Sequence, residues 1–428
     1  MTATGLYFPN SAARGMPIGA VGAAIIWFAV FLGGFVFIEP APYELYLFFV
    51  IGGWLLFNPV LPRAIGPLVV LLIVFMVGGL IAAMQSEHWE TQPIYYAVTG
   101  FLALSSCFFA AALGTNERLF SVVISGWIAA ALATVALGML GYFGLTGELF
   151  TKFGRAAGGF QDPNVFGPFL AFPFVMLVRR AMTRPLGSAV RDGALALILL
   201  VGIFLSFSRA AWGLAFVSVA ICTALLLLTE QRSAKRVRIL GMAALGVVGV
   251  VVVIAAMLSL GDTDSLFAER AQVVQDYDGG HLGRFQRYAI GFNMMVAKPL
   301  GIGALEFGKI FGEDEHDIWL KSLTTYGWLG FASYLALTIW TLVAAFPLLF
   351  RTGSLQPIVQ VTYIIFLGHI IVGTVIDIDH WRHVFLLLGM IWGAIAADRL
   401  SRNSIGNPAA PSVAPPYDAH YSPRRSGA

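Results

Sequence analysis

ILGMAALGVVGVVVVIAAMLSL runs from Ile239 to Leu260, 22 residues without a charge. It follows Arg232, Lys235, Arg236 and Arg238. A bilayer core needs roughly 20 apolar residues to be crossed by a helix. Only a structure that satisfies its own backbone hydrogen bonds can cross. Two more stretches have the same length and character: Ala210–Thr229 and Ile18–Ile38. A β-barrel would instead show alternating segments of about ten residues. The fold class is therefore all-α, a polytopic helical membrane protein.

The rest of the chain agrees. Of 428 residues 58% are hydrophobic and 11% charged, against about 25% charged in a soluble domain. A net charge of +3 is too small to point to nucleic acid. The spans read as 18–38, 43–60, 64–84, 94–113, 120–144, 164–178, 193–207, 210–229, 239–260, 319–350, 357–376 and 383–398. That makes about twelve, with the second, sixth, seventh and twelfth short. Arg14 precedes the first span with no small-residue cleavage pattern after it, so that helix reads as retained. Cys107 and Cys222 lie inside apolar runs and read as packing residues.

Sixteen of the 26 Lys and Arg fall on one side if the N-terminus is inside, including the basic loops 179–191 and 230–238. Lys and Arg are retained on the cytoplasmic side, so both termini are expected there. On the outer side Gly261 to about Ile318 is the one sizeable polar loop, long enough for a few short helices. The domain reading is a membrane domain over 1–398, with that loop at 261–318, and a disordered cytoplasmic tail over 399–428, rich in Pro, Ser and Ala.

The charges left on the outer side carry the candidate chemistry. Arg209 sits in Ser206-Phe-Ser-Arg-Ala-Ala-Trp212, between two spans with almost no loop. It either snorkels to headgroups or faces a polar cavity. Arg155 lies in Gly154-Arg-Ala-Ala-Gly-Gly-Phe-Gln-Asp-Pro-Asn164, where Asn164 can cap the next helix. His281 to Ala297 has helical spacing and is ended by Pro299. Arg284 and Arg287 share a face of that helix with Tyr288. Paired guanidiniums suit a diphosphate, and equally a solvated face. His316 stands among carboxylates in Glu313-Asp-Glu-His-Asp317, with Asp317 placed to cap the following helix. Histidine is a common general base near neutral pH, and surface-loop histidines are common too. The acidic pairs Asp262/Asp264, Glu313/Glu315 and Asp377/Asp379 each suit a hard cation, but no spacing among them forces one site.

Four of these segments resemble, in order, the O-antigen ligase and polymerase family of bacterial envelope glycosyltransferases. They are Arg155–Asn164, Ser206–Trp212, Arg284 and Tyr288 with Pro299-Leu-Gly-Ile-Gly303, and His316-Asp317 followed, after nine intervening residues, by Gly327 and, after two more, by Gly330. The likeness spans about 150–335. Asp317 stands where Asn, Ser or Gln is usual, and Gly213 where ligases often have Leu. The resemblance implies transfer of a glycan from an undecaprenyl-diphosphate carrier onto an acceptor hydroxyl of a glycan or lipid. It implies a periplasmic site in the bacterial inner membrane and neither cofactor nor metal. Arg209 and Arg284 would stabilise the diphosphate, with Arg155 and Arg287 assisting, and His316 would be the acceptor base. The rival classes are a transporter or flippase of lipid-linked glycans and a non-catalytic assembly scaffold. The transporter is disfavoured because the long loop is off-centre and the charges lie at one surface, not at the midplane.

The topology is open to test by labelling. Ser233→Cys is expected to stay unlabelled by a membrane-impermeant thiol reagent added outside the cell. Ready labelling would invert the arrangement.

Overall fold

The computed structural model describes residues 19–57, 59–259 and 284–406. Fourteen helices are described there. They are α1 (Ala20–Leu32), α2 (Pro42–Phe57), α3 (Gly66–Ala83), α4 (Gln92–Thr115), α5 (Arg118–Tyr142), α6 (Pro163–Thr183) and α7 (Leu186–Leu205). Then follow α8 (Arg209–Thr229), α9 (Ser233–Leu258), α10 (Arg284–Ala297), α11 (Glu306–Phe311), α12 (Ile318–Ala345), α13 (Gln356–Val372) and α14 (Arg382–Gly406). The only strands among the described residues are β1 (Thr151–Lys152) and β2 (Arg155–Ala156), an antiparallel pair.

Every expected span has its helix. Nine helices among the described residues are long and apolar enough to cross a membrane, and α1, α2 and α13 are shorter apolar helices. The short spans are therefore not those expected, apart from the second. The sixth and seventh are full-length helices of 21 and 20 residues, while α1 has 13 and α13 has 17. Start signals explain the extra length of α6 and α7. Pro163 opens α6 under an Asp162 cap, and α7 starts directly after Pro185, so both begin among polar residues that hydropathy alone passes over. The helix capped by Asp162, not Asn164, is a second correction: Asp162 accepts from Asn164 N–H at 2.7 Å. The last helix continues to Gly406, past the expected tail boundary at 399. The remainder of that tail, the N-terminal 18 residues and positions 260–283 lie outside the described residues.

The helices bury very different shares of their length. α6, packed by α7 and α8, is 83% buried in its apolar window, whereas α9 is 6% buried. The Val-rich α9 run is apolar all round because most of it has no protein neighbour to face, as a lipid-facing helix requires. The other main pairings are α1 on α5, α4 on α14, α3 on α12, and α13 on α8 and α14.

One helix is broken, and the break organises the candidate site. Gly327, inside α12, has φ 64° and ψ −178°. A helix would pair Trp328 N–H with the Thr324 carbonyl. Instead Trp328 N–H donates to Pro299 O at 3.0 Å, and Thr324 O accepts from Ile302 N at 2.8 Å. The Pro299–Gly303 segment is thus spliced into the helix and completes its hydrogen bonds. Tyr96 O–H caps the neighbouring freed carbonyl, Thr325 O, at 2.6 Å. Irregular backbone at membrane depth is tolerated only when protein satisfies it in this way. Three residues on, Gly330 meets Gly78 of α3. A side chain at Gly78 would stand 2.6 Å from the Gly330 nitrogen, so the two helices touch backbone to backbone.

A Cβ at Gly327 would lie 2.7 Å from Leu300 O at a positive φ. Gly327→Ala is therefore expected to cost about 1–3 kcal/mol, read as a lower thermal unfolding midpoint of the purified protein. Gly353→Ala, in open space, is the control and should leave the midpoint near the wild-type value.

Candidate functional site

The spliced segment hangs α10 over the start of α12. Trp328 Nε1 donates to Met295 O at 3.0 Å, and Tyr288 O–H donates to His316 O at 2.6 Å. Asp317 caps α12, accepting from Trp319 N at 2.9 Å, as its position before the span suggested. Ile318 N donates to Gly373 O at 2.8 Å, which ties this corner to the loop after α13.

His316 sits between carboxylates from two elements. Its Nε2 is 2.8 Å from Glu313 Oε1, and its Nδ1 is 3.8 Å from Asp377 Oδ1. Glu313 also holds Arg287, whose Nη2 is 2.5 Å from Oε2. The Arg287 side chain is 12% exposed and the His316 side chain 30%, so the histidine remains reachable. Partial burial favours the neutral Glu313 carboxyl, but the Arg287 and His316 contacts outweigh it and hold that carboxyl below its ordinary value.

Beneath His316 lies a buried charge network. Lys321 Nζ is 2.7 Å from Asp377 Oδ2 and 3.7 Å from Asp379 Oδ1. Tyr95 O–H donates to Asp379 and Thr324 O–H to Glu315. Burial raises the Asp377 carboxyl, yet Lys321 and His316 overcome this and keep it well below the usual carboxylate range. Glu315 is the opposite case. It is 2% exposed, and burial pushes its carboxyl up to about 7 despite Lys321.

Arg209 opens α8 and is half-buried. It stands at the same end of α13 as His316: Leu214, in the second turn of α8, meets Gly368, and Gly373 meets Ile318. Arg155 is 5% exposed. Its Nε donates to Ser206 O and its Nη2 to Asn164 Oδ1, each at 2.8 Å. Arg284 is the first residue of α10, and its side chain lies outside the described residues.

The structure thus links Arg287 to His316 through Glu313, bonds Tyr288 to the His316 carbonyl, and places Arg155 against the turn that carries Arg209. Asp377 and Asp379, read only as cation ligands, bind Lys321 instead. Among the described residues no group of three or more His, Cys, Asp or Glu side chains is placed to hold a metal ion. Asp262 and Asp264 are outside them. Sequence reasoning missed Lys321. Its signal was present: an ionisable residue inside a membrane span is a functional candidate by default, and Lys321 lies inside the 319–350 run.

Residues 194–335 match the family model of the O-antigen ligases. That region belongs to the O-antigen ligase family. The match takes in Arg209, Arg284, Arg287, His316, Gly327 and Gly330, and begins after the Arg155–Asn164 stretch. No curated protein matches the chain. The O-antigen ligase match and the apolar helices together make this a membrane protein of polysaccharide biosynthesis.

Glu315 supplies a pH test. Its folded carboxyl is raised from 4.5 to about 7. Between those values the folded chain keeps a proton that the unfolded chain has lost, so stability falls as pH rises through this window and levels off above it. Glu315→Gln should remove that part of the fall, measured as thermal midpoints of both proteins from about pH 5 to about pH 8. Parallel wild-type and variant profiles would show that Glu315 does not titrate there.

Proposed function

We propose that the protein is a membrane glycosyltransferase. It transfers, or polymerises, a glycan from an undecaprenyl-diphosphate carrier onto an acceptor hydroxyl of a glycan or lipid. The site faces the periplasm, in the bacterial inner membrane, with both termini cytoplasmic. The observation that carries the reading is the O-antigen ligase match over 194–335, because it encloses Arg209, Arg284 and the His316 corner.

The acceptor hydroxyl oxygen attacks the anomeric carbon, and the bond from that carbon to the diphosphate oxygen breaks. Undecaprenyl diphosphate leaves with the electron pair. Fixed cations stabilise its developing charge, which is the part given to Arg209 and Arg284, with Arg287 assisting. The acceptor proton passes to His316. With Nε2–H donated to Glu313, Nδ1 is the nitrogen that takes it, and Asp377 at 3.8 Å stabilises the imidazolium formed. Lys321 keeps Asp377 ionised for that purpose. The arginines do the electrostatic work of a metal, so the reaction needs none.

The test is transfer by purified protein from a lipid-diphosphate glycan, with and without EDTA. Arg209→Ala and Arg284→Ala should each lose about 100- to 1,000-fold in rate, and His316→Ala about 100- to 10,000-fold. Chelation should change nothing. Full activity in the arginine variants, or loss on chelation restored by magnesium, would overturn the mechanism. Movement of the lipid across the bilayer without transfer would favour the flippase class instead.

A further inference from the structure

The turn that presents Arg209 is strained. Phe207, between α7 and α8, has φ 45° although it is not glycine, and it is 1% exposed. A non-glycine residue held at positive φ is strained and persists only where its surroundings over-determine it. The surroundings here are specific. Ser206 O–H donates to Ile203 O at 2.6 Å, and Trp212 Nε1 donates to the same carbonyl at 3.0 Å. Gly167 of α6 leaves no room for a side chain, since a Cβ would stand 2.7 Å from Ser206 Oγ. These contacts hold the flanks of the turn. The Ser206 carbonyl itself is held from another part of the chain, by Arg155.

Arg155 reaches that carbonyl from the β1–β2 hairpin. The turn at Phe153 and Gly154, both at positive φ, reverses the chain. Beyond it, Ala157 and Gly158 N–H both bond Phe150 O, and Gly159 N–H bonds Thr134 Oγ1 of α5 at 2.6 Å. The hairpin is therefore fixed to α5. From it the guanidinium forks, with Nε on Ser206 O and Nη2 on Asn164 Oδ1 in the first turn of α6. The planar fork locks the three segments α5–hairpin, α6 and the α7–α8 turn into one unit. Asn164 is available for this because Asp162, not Asn164, caps α6.

We propose that Arg155 and Asn164 form a positioning pair that sets the strained Phe207 turn and thereby aims Arg209. On this reading Arg155 acts through Arg209 and is not itself a diphosphate ligand. The proposal rests on Arg209 being a diphosphate-stabilising cation. A displacement of about 1 Å in such a group can cost about 100-fold in rate.

The experiment measures kcat and KM for the lipid-diphosphate glycan in the full-length protein, alongside thermal midpoints. Arg155→Gln and Asn164→Ala should each lower kcat by about 10- to 100-fold, with KM for the donor changed less than about two-fold. Asn164→Asp keeps an acceptor for Nη2 and should recover most of what Asn164→Ala loses. A tenfold rise in KM at unchanged kcat for Arg155→Gln would make Arg155 a direct ligand and sink the proposal. Wild-type kcat in both Arg155→Gln and Asn164→Ala would sink it too, as would equal loss in Asn164→Ala and Asn164→Asp. If Arg155→Gln does not fold, the two Asn164 variants decide. Arg209→Ala is assayed in parallel: full activity there would remove the functional reading beneath the proposal, separately from any result at Arg155.

Discussion

A backbone amide inside a bilayer has no water to bond, so a helix that breaks there must borrow partners from elsewhere in the protein. The break at Gly327 borrows them from one segment. Pro299 O takes the Trp328 N–H, and Ile302 N–H fills the Thr324 carbonyl. Much of the described site follows from that exchange. It fixes the segment after α10 against α12, and Tyr288 of α10 then reaches the His316 carbonyl. The two glycine motifs that looked separate in the sequence, Pro299–Gly303 and Gly327–Gly330, are the two halves of one joint.

Charge is handled by the same economy. Lys321 stands in the first turn of α12, 4% exposed. A lone ammonium there would be costly, and so would a buried Asp379. Placed together they satisfy one another, and Asp377 extends the network upward to His316. Glu315 is left with a hydroxyl partner, and its carboxyl rises accordingly. The ionisable groups thus stack from a buried core of fixed charge to a reachable imidazole.

The arginines divide by what holds them. Arg155 and Arg209 looked alike in the sequence, each a lone cation beside small residues on the outer side. In the structure Arg155 is buried and bonded to a carbonyl and an amide, whereas Arg209 begins a helix at a turn that Arg155 braces. Two arginines of equal charge and similar setting therefore hold different places. The difference lies in a contact 51 residues apart in sequence.

Local chemistry was legible without coordinates. Hydrophobic run length dictated the helices, because the bilayer thickness is a ruler that any sequence can be held against. Asp317 as a helix cap and Pro299 as a helix stop were equally plain, since both act within one turn of themselves. Span lengths at α6 and α7 were not, because the Asp162 cap with Pro163 and the Pro185 stop, not hydropathy, set where those helices begin. Only the tertiary structure decided that Asp377 and Asp379 hold Lys321 instead of standing as a cation site, that Glu313 joins Arg287 to His316, and that a loop completes a broken helix. Each of those depends on pairing groups that are far apart in the chain, and sequence spacing carries no information about which distant partner a buried charge or an unpaired amide will find.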